Sequence, residues 1–148
     1  MAVGVVLSVG VVTGCASSGP LSVTAPSLSG PVATVCGSLL GGVPDRVGGQ
    51  SGRTTRSAGS VAAWGSPAIV LRCGVVSPAG LTRSSRCDAV DGVGWFSERV
   101  DGAYRFTTIG REAFVEVTVP DEYAPQADAL ADLAHAVRHS DRVVQPCV

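Results

Sequence analysis

The 148-residue sequence contains no lysine and no asparagine, so all 11 of its basic side chains are arginines. The missing lysine removes whole classes of chemistry. A Walker-type loop needs a lysine to reach the phosphates. Schiff-base and pyridoxal catalysis need its amine, and Ser-x-x-Lys acyl transfer needs it too. None of these is open to this chain. Abundant Ala, Val and Gly beside absent Lys and Asn fit a GC-rich genome, such as that of a high-GC Gram-positive bacterium.

Charge is scarce as well. Charged residues are 16% of the chain and the net charge is −1, so bulk electrostatics attract neither nucleic acid nor an anionic bilayer. No cofactor is implied. The histidines are His135 and His139 alone, and no His-Glu-x-x-His accompanies them. No Gly-x-Ser-x-Gly elbow exists; Gly49-Gln50-Ser51-Gly52 has the wrong spacing. Aromatics are 5%, so Trp64, Trp95, Phe96, Tyr104, Phe106 and Phe114 are wanted in the core before they are available to a ligand.

A long apolar run is also missing. Met1 to Gly14 is uncharged and apolar, but a spanning helix needs about 20 such residues. Its length fits the apolar region of a secretion signal. Val12-Thr13-Gly14-Cys15 has the aliphatic-small-small-Cys pattern of a bacterial lipobox, in which the Cys15 thiol becomes the thioether carrying diacylglycerol. No arginine precedes Cys15, a departure from the usual basic start of a signal. The competing reading is an ordinary secretion signal with a chance cysteine. Residues 15–30 then read as a lipidated cysteine and a flexible linker rich in Ser, Pro and Gly, and residues 31–148 as one domain.

Four cysteines remain in that domain: Cys36, Cys73, Cys87 and Cys147. An even number in a small exported domain reads as two disulfides. Three pairings are open. The expected one is Cys73–Cys87, stapling the Ser77-Pro78-Ala79-Gly80 excursion, with Cys36–Cys147 tying an early helix to the tail. No Cys-x-x-Cys pair is present, and the spacings match no zinc module.

Along the domain, Val32, Val35, Cys36 and Leu39 repeat at helical spacing between Pro31 and Gly41-Gly42. Residues 43–60 read as a loop or a weak edge strand near Arg53 to Ser57. Strands are expected at 68–73, 94–100, 103–108 and 113–119, with Asp101-Gly102 as the strongest hairpin signal. A last helix over Pro125 to His139 buries Leu130, Leu133, Ala134 and Val137. Helix, hairpin strands, helix gives an α+β two-layer domain: an antiparallel sheet of about four strands with both helices on one face.

Ala63-Trp64-Gly65-Ser66-Pro67, Ile69-Val70-Leu71-Arg72-Cys73-Gly74, Asp91-Gly92-Val93-Gly94-Trp95 and Phe106-Thr107-Thr108-Ile109-Gly110-Arg111 follow one another in order. Together they resemble the actinobacterial domain of unknown function 3515, over roughly Cys36 to the C-terminus. The resemblance implies a small exported or membrane-anchored protein and supplies no catalytic residues.

Two constellations carry what chemistry there is. Asp128, Asp132, His135 and His139 fall on one strip of the last helix, opposite its apolar stripe. Two His at i and i+4 with carboxylates a turn away can hold a transition metal; the bland alternative is a solvated face with Asp at the start and His at the end of the helix dipole. Arg72, with Trp64 and Trp95, is the candidate ligand or partner set. Arg72 can equally pair with Glu116 or Asp91. The expected function is an envelope lipoprotein on the extracytoplasmic face of the cell membrane. Its domain binds another envelope component, protein or small molecule, without catalysis; the alternatives are a metal-binding lipoprotein and, for location, a secreted protein.

Overall fold

The computed structural model describes residues 19–147, so the leader and Cys15 lie outside the described residues. Helix α1 (Gly30–Gly42) is followed by strands β1 (Arg46–Val47), β2 (Gln50–Arg53), β3 (Val61–Trp64), β4 (Ile69–Cys73), β5 (Asp88–Val90), β6 (Val93–Val100), β7 (Ala103–Thr108) and β8 (Val115–Pro120). A short 3-10 turn (Asp121–Tyr123) leads into α2 (Ala127–Ser140). The strands form one sheet in the order β1-β2-β3-β4-β8-β7-β6-β5, with every neighbouring pair antiparallel.

The α+β class and the two helices agree with the sequence. The strand number does not: the sheet has eight strands, not about four. The four additional strands are two to four residues long, too short to show a period of two. Two of the hairpins are set by turns with φ > 0 at both central residues. Asp91 (φ 45°) and Gly92 (φ 78°) join β5 to β6, and Gly48 (φ 54°) and Gly49 (φ 74°) join β1 to β2. That geometry matches the twist of the strands it joins.

One face of the sheet carries the core. Trp64 pairs with Ile69, Leu71 with Val117, Cys73 with Val115 and Trp95 with Thr108. Alternation puts these residues on the same side. Val35, Cys36 and Leu39 of α1 and Leu130, Leu133, Ala134 and Val137 of α2 close over them, all buried. The α2 stripe is the expected one. The helices also touch each other, with Ser38 Oγ donating to Ser140 Oγ at 3.2 Å.

Both disulfides form, but the pairing differs from the expected one. Cys36 bonds Cys73, and Cys87 bonds Cys147. The physical reason is the strand order. Cys73 ends β4 and Cys87 immediately precedes β5; three strands (β8, β7 and β6) lie between β4 and β5 in the sheet. Cys73 points into the core, where α1 delivers Cys36; both are fully buried. The tail reaches the other cysteine instead. Val144 N and Gln145 N both donate to Gly110 O, at 2.8 and 2.9 Å, which brings Cys147 to the β5 edge. Gly94 of β6 leaves the space this bridge occupies: a Cβ there would overlap both sulfurs.

The described part of the expected linker is also engaged. Leu21 N donates to Thr54 O at 2.9 Å, Arg56 N donates to Leu21 O at 3.1 Å, and Leu28 packs against the core. Residues 21–28 therefore belong to the domain; apolar Leu21 and Leu28 inside a Ser/Pro/Gly-rich stretch are the reason. No helix among the described residues is long and apolar enough to cross a membrane.

Candidate functional site

The three residues expected to meet a ligand are not brought together. Trp64 is buried between β2 and the chain before β1, and its indole N–H donates to Pro44 O at 3.0 Å. That is a core tryptophan with its polar atom satisfied. Arg72 lies on the sheet face away from α2, where it meets Glu116 in register on β8. Its Nε donates to Oε1 at 2.9 Å and its Nη2 to Oε2 at 3.0 Å, with Thr24 O accepting from Nη1 at 3.3 Å. Arg105 approaches the same carboxylate at 3.6 Å. Arg72 is thus held by its own protein.

Trp95 lies in the wall of a groove beside the start of α2. β6 and β7 continue beyond the point where α2 begins, and there the helix face of the sheet is uncovered. A groove of about 340 Å³ results, with Trp95, Tyr104 and Phe106 on the sheet, Val90 at the β5 edge, and Pro125 and Leu130 on the α2 side. Tyr104 and Phe106 stand two residues apart on β7, so they share a face. Their rings stack at 6.1 Å and 25°. Arg99, opposite Tyr104 in register, lays its guanidinium 4.8 Å from the tyrosine ring centre and grips Asp121 through two 2.6 Å hydrogen bonds. The aromatic wall is therefore fixed before anything binds. Trp95 is fully buried, and its indole N–H has no acceptor among the described residues.

The groove holds little that could do chemistry. Asp88 is the one carboxylate in its lining. Arg86 Nε already donates to it at 2.6 Å, and Ser97 Oγ reaches it only at 3.5 Å. Neither histidine lines it.

The α2 strip is partly assembled. His135 and His139 are exposed, with rings parallel within 6° and centres 6.0 Å apart. Asp132 is spent elsewhere: its Oδ2 accepts from Gly48 N at 2.9 Å, clamping the β1–β2 turn to α2. Among the described residues no three His, Cys, Asp or Glu side chains gather as a metal ion would require.

A second buried polar centre was missed in the sequence. Asp141, directly after α2, is fully buried. Ala113 N donates to its Oδ1 at 3.1 Å, and Arg111 donates to its backbone oxygen. Burial pushes the Asp141 carboxyl up to about 6, against the opposing pull of the Ala113 hydrogen bond and the Arg111 charge. Burial in turn lowers the Arg111 guanidinium from its ordinary value. Arg111 also donates to Gly92 O at 3.2 Å. The pair thus ties the β5–β6 turn, the chain before β8 and the end of α2. Ser-Asp-Arg after a helix reads as ordinary surface sequence, so no signal marked it.

A family model described as protein of unknown function (DUF3515) matches residues 1–144. The chain belongs to the DUF3515 family. No curated protein and no solved structure matches it. For this DUF3515 chain the functional reading therefore rests on its own geometry. Several residues of the motifs that carried the resemblance have structural roles, while Trp95 and Phe106 line the groove. Trp64 and Ile69 pair across the β3–β4 hairpin, Asp91-Gly92 is the β5–β6 turn, and Arg111 anchors Asp141.

Proposed function

We propose that this DUF3515 protein is a lipoprotein of the cell envelope, anchored through Cys15 on the extracytoplasmic face, whose domain is a non-catalytic binding module. The reading is carried by the aromatic groove of Trp95, Tyr104 and Phe106: a preformed, mainly apolar concavity at the open end of a doubly stapled domain. Two disulfides favour an oxidising compartment, and the lipobox pattern at Val12–Cys15 supports the anchor. An apolar segment of another envelope component, a protein side-chain cluster or an acyl group, is the occupant such walls would take.

The test is comparative capture from native membranes, using the anchored protein and a Tyr104→Ala/Phe106→Ala variant. A component enriched by the first and lost by the second supports the groove as the binding site. Equal recovery with both would remove it. Fractionation decides the anchor separately: Cys15→Ser should abolish lipid labelling, and persistent labelling would contradict the assignment.

A further inference from the structure

The described chain is pinned at Leu21, which lies between Thr54 O and Arg56 N and bridges Thr55 in parallel. Cys15 is six residues earlier. Six extended residues span at most about 20 Å. A lipid on Cys15 would therefore hold the Thr54–Arg56 segment within about that distance of the bilayer.

This end of the domain carries three arginines. Arg46 and Arg56 are exposed and Arg53 is half-buried. Arg46 and Arg53 line one open groove with Thr54. Arg46 donates to Ser51 Oγ and Gly49 O, and Arg53 to Gly65 O at 3.0 Å. These acceptors are neutral, so the charges are positioned without being cancelled. Among the described residues no carboxylate lies within ion-pair distance of the three, whereas Arg72, Arg86, Arg99, Arg105 and Arg142 all have one. Two acids share this edge: Asp45, which lines the same groove, and Asp132 of α2, whose Oδ2 accepts from Gly48 N at 2.9 Å; the three arginines outnumber them. The chain as a whole has a net charge of −1, while this edge carries a small excess of positive charge.

We infer that the β1–β2 edge faces the membrane and that Arg46, Arg53 and Arg56 bind anionic phospholipid headgroups. The inference rests on the lipid anchor proposed above. A tether converts weak headgroup contacts into intramolecular ones with a high effective concentration, so a few arginines suffice to orient a domain that the diacylglycerol already holds at the surface. The orientation has a consequence for the groove. Five strand spacings separate β2 from β6 in the sheet, about 24 Å. The aromatic groove then lies well away from the edge that faces the bilayer.

The test uses the mature lipidated protein in nanodiscs carrying a gadolinium-chelating headgroup. Discs of phosphatidylcholine alone are compared with discs of phosphatidylcholine and phosphatidylglycerol. On anionic discs, amide broadening should be strongest at Arg46–Gly49 and Thr54–Ser57 and weak at Asp88–Val90. On neutral discs the contrast should weaken markedly, leaving only the proximity that the tether imposes near Thr54–Ser57. An Arg46→Gln/Arg53→Gln/Arg56→Gln variant should shift the docked orientation toward the free one by about a hundredfold, at about fivefold per arginine. Even broadening on anionic discs by a protein whose intact mass shows the lipid would overturn the orientation alone. So would the same contact pattern on neutral discs. An unmodified Cys15 in membrane-derived protein would overturn the anchor and the orientation together.

Discussion

Arg72 and Glu116 face each other in register across β4 and β8, and the guanidinium donates two hydrogen bonds to the carboxylate, of 2.9 and 3.0 Å. The carboxylate is buried and the guanidinium about a quarter exposed. Such a pair is more costly to break on one side than valuable as a whole. Arg105, at 3.6 Å from the same carboxylate, makes no hydrogen bond to it.

A first prediction follows from that asymmetry. Glu116→Ala leaves Arg72 and Arg105 as neighbouring cations without an acid between them and should cost about 2 kcal/mol. Arg105→Gln should cost less than about 1 kcal/mol, as partly exposed pairs do. Urea unfolding of both variants checks the order. A larger loss for Arg105→Gln would contradict the assignment.

Asp141 gives a pH signature of unusual sign. Its folded value is raised from 3.8 to about 6, so the folded state holds the proton more tightly than the unfolded chain does. The contribution of this group is most favourable below about pH 4 and is lost as pH rises through 6. The loss reaches about 3 kcal/mol at full ionisation. Asp141→Asn should remove this dependence. The stability of the wild type minus that of the variant should fall between pH 4 and 7, and a flat difference would count against the burial of this carboxyl.

Asp132 is predicted to be a structural clamp. Its Oδ2 takes the amide of Gly48, and a Cβ on Gly48 would come within 3.0 Å of Ile69 Cδ1. Asp132→Ala should therefore cost about 1 kcal/mol and speed hydrogen exchange at Gly48. Titration with Zn²⁺ should give no saturable heat. Saturable heat that disappears in His139→Gln would restore the metal reading of the α2 strip.

What the sequence could show depended on length and locality. The 103–108 strand and the Asp101-Gly102 turn were readable because each signal lies within a few residues, and the α2 stripe because it runs for two turns. The pair β1–β2 was hidden, since its strands hold a single buried apolar residue, Val47. Asp91-Gly92 carries the same turn signal as Asp101-Gly102, but the three-residue β5 before it showed no alternation. The disulfide pairing failed for a different reason. Closeness in sequence favoured Cys73 with Cys87, while the sheet order sends the chain from its middle to its edge between them. Of the residues singled out in the sequence for a ligand, Trp95 is the one that lies in this groove. Its partners Tyr104 and Phe106 were visible as an aromatic alternation, but their exposure depends on where α2 starts relative to β6 and β7.

The most direct test is mass spectrometry of the non-reduced protein from membranes after cleavage at arginine. Arg46, Arg72, Arg83, Arg86, Arg99 and Arg142 place the four domain cysteines on separate peptides, with Cys15 on the same peptide as Cys36. Residues 15–46, bearing a diacylglycerol on Cys15, should be linked to 73–83, and residues 87–99 to 143–148. A bare Cys15, free thiols, or a 73–83 peptide joined to 87–99 would contradict this pattern.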